Sequence, residues 1–156
     1  MHKVMFVCHG NICRSPMAEF LMKDLVEKAG RAGEFDIAST AVSSEEIWDG
    51  VGNPVYAPVK SLLLKKGISC AGKRAKLLTK ADGELYDYLL CMDESNVRRA
   101  KQIVGEKNAK KCVKLLSFTG ADEDVADPWW TRDFQEAYED IYRGVLAFIA
   151  FLDEKK

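Results

Sequence analysis

The sequence has no long apolar segment and no recognisable export signal. Its longest apolar run extends from Val145 to Leu152, far short of the roughly 20 residues that a membrane-spanning helix needs. The first residues also lack the charged-then-apolar pattern of a secretory signal segment. We therefore expect a cytoplasmic protein that does not have a membrane as a partner.

An excess of charge of one sign is also missing. Lys and Arg total 23, Asp and Glu total 24, and the formal net charge is −1. Such a balance provides no overall attraction to nucleic acid or to a membrane surface, so we expect no nucleic acid partner. The basic residues between Arg98 and Lys114 could dock an acidic partner, but a solvated helix face is the favoured interpretation.

The cysteines indicate neither a disulfide framework nor a metal site, because they are odd in number, scattered and without the close pairs that bind zinc. They are Cys8, Cys13, Cys70, Cys91 and Cys112. Repeats and low-complexity segments are absent too, and 47% of the 156 residues are hydrophobic. The composition thus predicts one domain over residues 1–156, which buries about 70% of the surface of its unfolded chain.

Strand-like and helical segments alternate along the sequence. The predicted strands are 3–7, 35–39, 86–92 and 113–116. The predicted helices are 16–30, 55–66 and 133–153. Between them, the polar segment 43–54 has no periodicity and is predicted to be a surface loop.

This alternation predicts an α/β fold with a parallel sheet. Its β-α-β crossovers place the ligand site beyond the carboxyl ends of the strands. Cys8, Ser39 and Asp93 all lie at such ends. We therefore expect these three residues to lie near one site.

The segment from Cys8 to Pro16, CHGNICRSP, connects the first predicted strand to the first predicted helix. Ser15 is predicted to cap that helix, with Pro16 at its first position. A curled loop at a helix N-terminus directs backbone N–H groups and a partial positive charge into one hollow. The segment is therefore predicted to be a phosphate-binding loop.

The side chains of this loop suit nucleophilic attack on phosphorus. Arg14 carries a planar fork of donors that matches two phosphate oxygens, and the same field favours the thiolate form of Cys8. Gly10 can take positive φ or let the backbone approach a ligand, and Asn11 tolerates the left-handed region. The Ser15 hydroxyl is placed to donate to the sulfur when the sulfur becomes a leaving group. A buried structural role for Cys8 is the alternative.

Cleavage of an aryl phosphate by a thiolate needs a proton donor for the leaving oxygen. The candidates are Asp122, Asp124, Asp127 and Asp133. Only Asp127 precedes a proline, which restricts its backbone, and two tryptophans, Trp129 and Trp130, which can form an apolar wall. Asp127 is therefore predicted to be the acid, with a plain loop-turn aspartate as the alternative.

These motifs resemble those of the low-molecular-weight protein tyrosine phosphatases. All fixed positions of that signature, Val-Cys-x-Gly-Asn-Ile-Cys-Arg-Ser-Pro-x-Ala-Glu, are present from Val7 to Glu19. The resemblance continues at Ser39 and Thr40, from Cys91 to Asn96, and from Asp127 to Trp130, and so spans nearly the whole chain. It implies a small cytoplasmic phosphatase with a four-stranded parallel sheet flanked by helices, which needs no metal or other cofactor.

The resemblance also implies the reaction and its main residues. Phosphotyrosine-containing proteins would be hydrolysed through a phosphocysteine at Cys8, with Arg14 holding the phosphate and Asp127 acting as acid and then base. Asp93 is similar to the residue that orients the arginine in the family, although simple helix capping is the alternative. Cys13 would form a reversible disulfide with Cys8, which makes the enzyme redox-regulated, unless Cys13 is only a buried filler.

The remaining expected contacts surround the phosphate and the phenyl ring. Phosphate contacts are expected from the loop residues His9, Gly10, Asn11, Ile12 and Cys13. Trp129 and Trp130 replace the tyrosine pair of many relatives, so regulation by phosphorylation of those tyrosines is not available. They are expected to grip the ring and to make the slot too deep for phosphoserine, whereas core packing is the alternative. Trp48 is expected to form the opposite wall, and Ser39 to support the loop.

Two positions depart from the family pattern, and three rival activities are compared with the residues present. Lys73 and Lys76 lie where many relatives have His and Arg, including a histidine that hydrogen-bonds to the phosphate loop. Arsenate reduction would need closely spaced relay cysteines, and arginine phosphatases carry Thr at the position of Ile12. A non-catalytic phosphotyrosine-binding module would be expected to lose the nucleophile or the acid. We expect a monomer or weak self-association.

Overall fold

The computed structural model describes residues 1–155, in which helices cover both faces of a parallel sheet. The strands are β1 (His2–Cys8), β2 (Phe35–Ala41), β3 (Ile47–Trp48), β4 (Val51–Gly52), β5 (Tyr88–Cys91) and β6 (Cys112–Lys114). The helices are α1 (Arg14–Lys28), α2 (Ala57–Lys65), α3 (Lys80–Leu85), α4 (Glu94–Val104), α5 (Pro128–Thr131) and α6 (Phe134–Glu154). Short 3₁₀ helices span Ala32–Glu34, Glu106–Lys111 and Leu115–Thr119.

The main sheet has four strands in the order β2-β1-β5-β6, and all its pairings are parallel. In the centre, Phe6 of β1 is in register with Ser39 of β2 on one side and with Leu90 of β5 on the other. The predicted α/β fold with a four-stranded parallel sheet flanked by helices is therefore confirmed.

Both faces of β1 are buried, as expected for a parallel strand between two helical layers. Val4 and Phe6 point into a core formed with α1, α2 and α6, whereas Met5 and Val7 point into a second core formed with α4. Since neither face meets water, the strand is a continuous apolar run rather than an alternating one. The carboxyl end of this rigid strand carries Cys8.

Several predicted boundaries differ from the structure. Ser15 does not cap α1, because the helix begins at Arg14, two residues earlier than predicted, and Cys13 occupies the cap position without a side-chain hydrogen bond. The predicted loop 43–54 contains the β3–β4 hairpin, whose turn residues Asp49 and Gly50 have φ values of 51° and 80°. An Asp-Gly pair with positive φ is typical of a tight hairpin turn, and this signal was missed.

Other differences arise at short elements. The fourth predicted strand, 113–116, is displaced to 112–114, and Leu115 already belongs to a 3₁₀ helix. Helices α3 and α5, of six and four residues, were not predicted at all. Both are stabilised at their first residue by a capping side chain, from Thr79 and from Asp127. Among the described residues, no helix has the length and apolar character needed to cross a membrane.

Phe148 of α6 is fully buried in the hydrophobic core and meets Tyr88 and Phe118 edge-on. We expect Phe148→Ala to lower the free energy of unfolding by about 3–5 kcal/mol, because the cavity left behind cannot collapse fully. Leu146→Ala, on the exposed side of the same helix, is the control and should change it by no more than about 0.5 kcal/mol. Urea denaturation followed by circular dichroism measures both, and equal losses would contradict the assignment of this core.

Candidate active site

A cavity of about 600 Å³ opens at the carboxyl end of β1. It is lined by residues from the β1–α1 loop, the segment after β2, the start of α4 and the start of α5. These residues are Cys8, His9, Gly10, Ile12, Cys13, Arg14, Glu45, Glu46, Asp93, Ser95, Asn96, Asp127, Trp129 and Trp130. Most residues that the sequence assigned to the site therefore surround one cavity.

The Cys8 sulfur lies at the base of this cavity and has two polar neighbours. The backbone N–H of Asn11 donates to it at 3.3 Å, and the Ser15 hydroxyl oxygen lies 2.9 Å from it. The loop reaches this shape because Asn11 has a φ of 60°, which Asn tolerates better than most residues. The N–H is a donor to the sulfur, and the hydroxyl can also donate to it when the sulfur is a thiolate, which is the nucleophilic form.

The Asn11 side chain points beneath the loop rather than into the cavity. Its amide nitrogen donates to Ser15 Oγ at 2.8 Å and to Ser39 Oγ at 2.9 Å, and its amide oxygen accepts from the backbone N–H of Lys76 at 3.0 Å. The side chain is fully buried. Asn11 is thus placed to support the loop, as Ser39 was expected to do, and not to contact a ligand through its side chain.

Gly10 lines the cavity with ordinary negative φ, so the alternative of positive φ is wrong. A Cβ added there would lie 3.1 Å from Cγ of Glu46. The glycine therefore permits a close approach between the loop and the segment after β2.

Arg14 is almost completely buried and is held from several sides. One terminal nitrogen donates to Asp93 Oδ2 at 3.0 Å and lies 3.6 Å from Asp127 Oδ2, and the other donates to the Val125 carbonyl at 3.1 Å. Burial alone would lower its pKa, but the negative charges of Cys8, Asp93 and Asp127 outweigh burial and raise the pKa of Arg14 above its ordinary value. A fixed, permanently charged guanidinium suits a dianionic ligand.

Two carboxylates hold the ends of helices at the cavity. Asp93 caps α4 through a reciprocal capping box with Asn96 and contacts Arg14 with its other oxygen. Asp127 caps α5 by accepting from the backbone N–H of Trp129 at 3.1 Å. For Asp93, capping and contact with the arginine, which the sequence presented as alternatives, therefore occur together.

The aromatic residues divide between the cavity and the surface. Trp129 and Trp130 line the cavity, and Trp129 packs against Tyr56 with ring centroids 4.7 Å apart. Trp48 is not among the lining residues; its ring is 65% exposed and its Nε1 donates to the Glu45 carbonyl. The structure therefore does not place Trp48 as the opposite wall.

His9 and Glu45 contact each other among the residues that line the cavity. His9 Nε2 lies 2.9 Å from a Glu45 carboxylate oxygen, and both side chains are substantially exposed. Glu46, beside them, accepts from the Asn53 side chain. Glu45 and Glu46 belong to the segment 43–54 that was predicted to be a loop. A segment without periodicity does not indicate which of its side chains point into the cavity.

Cys13 lines the same cavity as Cys8 but differs from it in chemistry. Burial, assisted by the charges of Cys8 and Asp127, raises the pKa of Cys13 to about 12. All five cysteines are free thiols. Among residues 1–155, no group of three or more His, Cys, Asp or Glu side chains is arranged to hold a metal ion.

The sequence profile of the family described as "Low molecular weight phosphotyrosine protein phosphatase" matches residues 3–156. The chain belongs to this family. It is accordingly a cysteine-dependent protein-tyrosine-phosphatase, a hydrolase, and the family implies substrates that contain phosphotyrosine.

Individual relatives agree with the family assignment. The low molecular weight protein-tyrosine-phosphatase YfkJ of Bacillus subtilis is 34% identical over all of this chain and 99% of its own length. Its crystal structure has a TM-score of 0.91, with 100% of this chain and 97% of that chain covered. The Gallus gallus family member is 36% identical over 94% of this chain and 92% of its own. A crystal structure of a drosophila arginine phosphatase is 28% identical, with a TM-score of 0.83 and coverages of 96% and 97%.

The difference between the two cavity thiols predicts selective alkylation. At neutral pH, limited iodoacetamide should modify Cys8 and spare Cys13, because a thiol with a raised pKa stays protonated below that pKa and protonated thiols react slowly. Cys70, Cys91 and Cys112, whose pKa values burial also raises, should be spared as well.

Peptide mass spectrometry after partial reaction measures this selectivity. Cys8→Ser is the control and should leave the folded protein without a rapidly modified site. Preferential modification of Cys13 in the parent protein would contradict the assignment.

Proposed function

We propose that the protein hydrolyses phosphotyrosine in proteins, and small aryl phosphates, through a phosphocysteine intermediate. The main support is that Cys8, Arg14 and Asp127 line one cavity, with the Asn11 N–H donating to the sulfur and the Ser15 hydroxyl 2.9 Å from it. A phosphate group placed over Cys8 would meet the loop N–H groups, the α1 N-terminus and the Arg14 guanidinium.

In the first step, the Cys8 sulfur attacks phosphorus while Arg14 and the loop amides hold the equatorial oxygens. The bond between phosphorus and the phenolic oxygen breaks, and Asp127 gives its proton to that oxygen. The negative charge on the transferring group is stabilised by donors that are already in place, so little reorganisation is needed during the reaction. A phosphocysteine and a neutral phenol result.

In the second step, water attacks the phosphocysteine. Asp127, now a carboxylate, orients this water and takes its proton, and the bond between phosphorus and sulfur breaks. The Ser15 hydroxyl, 2.9 Å from the sulfur, stabilises the departing thiolate. Inorganic phosphate leaves and the starting enzyme is restored.

The cavity favours phosphotyrosine over phosphoserine and over phosphoarginine. Trp129 and Trp130 at its mouth provide apolar surface for a phenyl ring, whereas the short stem of phosphoserine would not extend from that mouth to Cys8. Ile12 is buried, apolar and part of the lining. It offers no hydroxyl at the position where the family resemblance implies threonine in arginine phosphatases.

The proposed redox regulation also starts from Cys8. An oxidant such as hydrogen peroxide would convert the Cys8 thiolate to a sulfenic acid, and the Cys13 thiol would then form a disulfide with release of water. Because the pKa of Cys13 is raised to about 12, Cys13 is suited to resolve the sulfenic acid and not to react with the oxidant first. Both side chains line the same cavity.

The catalytic roles predict how two substitutions act. Cys8→Ser should abolish turnover of p-nitrophenyl phosphate, phenyl phosphate and a phosphotyrosine peptide. Asp127→Asn should lower kcat for phenyl phosphate by about 100- to 10,000-fold. The loss should be smaller for p-nitrophenyl phosphate, because p-nitrophenolate leaves readily without a proton.

Steady-state assays without added metal measure these effects, and Asp122→Asn is the matched control because Asp122 lies outside the cavity lining. If Asp127→Asn lowers kcat equally for phenyl phosphate and p-nitrophenyl phosphate, Asp127 is not the acid. Faster hydrolysis of phosphoarginine than of phosphotyrosine by the parent enzyme would contradict the proposed substrate.

The role of the aromatic wall predicts a change in substrate affinity. Trp129→Ala should raise KM for phenyl phosphate by roughly 3- to 10-fold, because it removes the surface on which the ring packs. The inhibition constant of inorganic phosphate, which has no ring, should stay unchanged. Trp48→Ala is the control and should alter neither value. A similar rise in KM for Trp48→Ala would instead restore Trp48 as the opposite wall.

A further inference from the structure

A buried carboxylate with no part in the chemistry lies beneath the phosphate loop. Glu19 of α1 is 5% exposed, and its Oε1 accepts a hydrogen bond from Ser39 Oγ. Its other oxygen pairs with Lys23 at 2.6 Å, at the edge where Lys23 reaches solvent. A carboxylate so deeply buried is costly unless cations and donors surround it.

Lys73 supplies the second cation, from the chain segment between α2 and α3. Its Nζ donates to the backbone carbonyl of Ser39 at 2.9 Å and lies 3.5 Å from Glu19 Oε1, with only 13% of the side chain exposed. Burial lowers the pKa of Lys73, while the Glu19 charge opposes that effect and the charges of Lys23 and Lys76 add to it. An ammonium group is therefore held at a site where solvent barely reaches it.

The hydrogen bonds of Asn11 and Ser39 above this ion pair have a fixed direction. The backbone N–H of Lys76 is an obligate donor, so the Asn11 atom facing it is the amide oxygen, and the amide nitrogen must donate to both serines. The Glu19 carboxylate can only accept, so the Ser39 proton points to Glu19. Once Cys8 is a thiolate it too can only accept, and the Ser15 hydroxyl then donates to the sulfur at 2.9 Å in preference to the Thr40 carbonyl at 3.4 Å.

We propose that Lys73 is a positioning residue for the phosphatase reaction. By pairing with Glu19 and holding the Ser39 carbonyl, it keeps Ser39 and Asn11 in the arrangement that directs the Ser15 hydroxyl at the nucleophile. This inference rests on the proposed role of Cys8.

Lys23 does not substitute for Lys73 in this role. It contacts only the outer oxygen of Glu19, its side chain is 44% exposed, and it has no contact with Ser39. Solvent screens the half-exposed ammonium of Lys23 more strongly than the buried ammonium of Lys73. The ion pair that orders the network is therefore the one made by Lys73.

The test is Lys73→Met. We expect kcat/KM for phenyl phosphate to fall about 10-fold, and the acidic limb of its pH profile to move to higher pH, because the sulfur anion loses a well-placed donor. The rate of Cys8 alkylation by iodoacetamide should fall in parallel at pH 6. Lys73→Arg, which keeps the cation, should regain most of both losses.

Lys76→Met is the matched control. Lys76 is exposed and lies three residues after Lys73, so this substitution removes the same charge from a side chain in solvent. It keeps the backbone N–H that donates to Asn11. It should leave the pH profile and the alkylation rate unchanged. Should Lys73→Met fail to fold, Lys73→Gln is measured in the same way with the same expected losses.

A lower melting temperature with an unchanged pH profile and alkylation rate would overturn the proposal, since it would mean that Lys73 only stabilises the fold. Equal effects of Lys76→Met would overturn it too, because they would reflect net charge. The proposed function is tested separately by Cys8→Ser. If Cys8→Ser is inactive while Lys73→Met behaves like the parent enzyme, the function stands and only the role of Lys73 is lost.

Discussion

The left-handed backbone at Asn11 is the constraint on which the site depends. It turns the loop so that the Asn11 N–H faces the Cys8 sulfur while its side chain turns away, into the protein. A strained loop of this kind persists only where its surroundings over-determine it. Here the Asn11 side chain supplies that support through three hydrogen bonds: it donates to Ser15 and Ser39 and accepts from the Lys76 backbone N–H.

Charge is arranged around the same loop in two layers. In the cavity, the buried guanidinium of Arg14 lies against Asp93 and Asp127 and interacts electrostatically with Cys8. Beneath the loop, the Glu19 carboxylate pairs with the ammonium groups of Lys23 and Lys73. Opposite charges are paired within each layer, so a chain with balanced composition can build a polarised site from local contacts and needs no overall field.

Much of the site could be predicted because its residues are close in sequence. Cys8, Arg14 and Ser15 belong to one strand-loop-helix unit, and Asp127 is marked by the proline and tryptophans that follow it. The hairpin at Asp49 and the short helices α3 and α5 were missed, since they are too short for periodicity to reveal them. Trp48 is absent from the cavity lining, and the sequence does not indicate this because the direction of a side chain in a hairpin depends on register, which composition does not contain.

The sequence by itself determined the family, the parallel sheet, and the position of a cysteine and an arginine at a helix N-terminus. These follow from local patterns whose physical causes act within a few residues. Only the tertiary structure decided which distant groups complete the site. Lys73 reaches Glu19 and Ser39, and His9 meets Glu45, through packing of segments far apart in the chain. Such contacts depend on how the helices cover the sheet, so no local pattern encodes them.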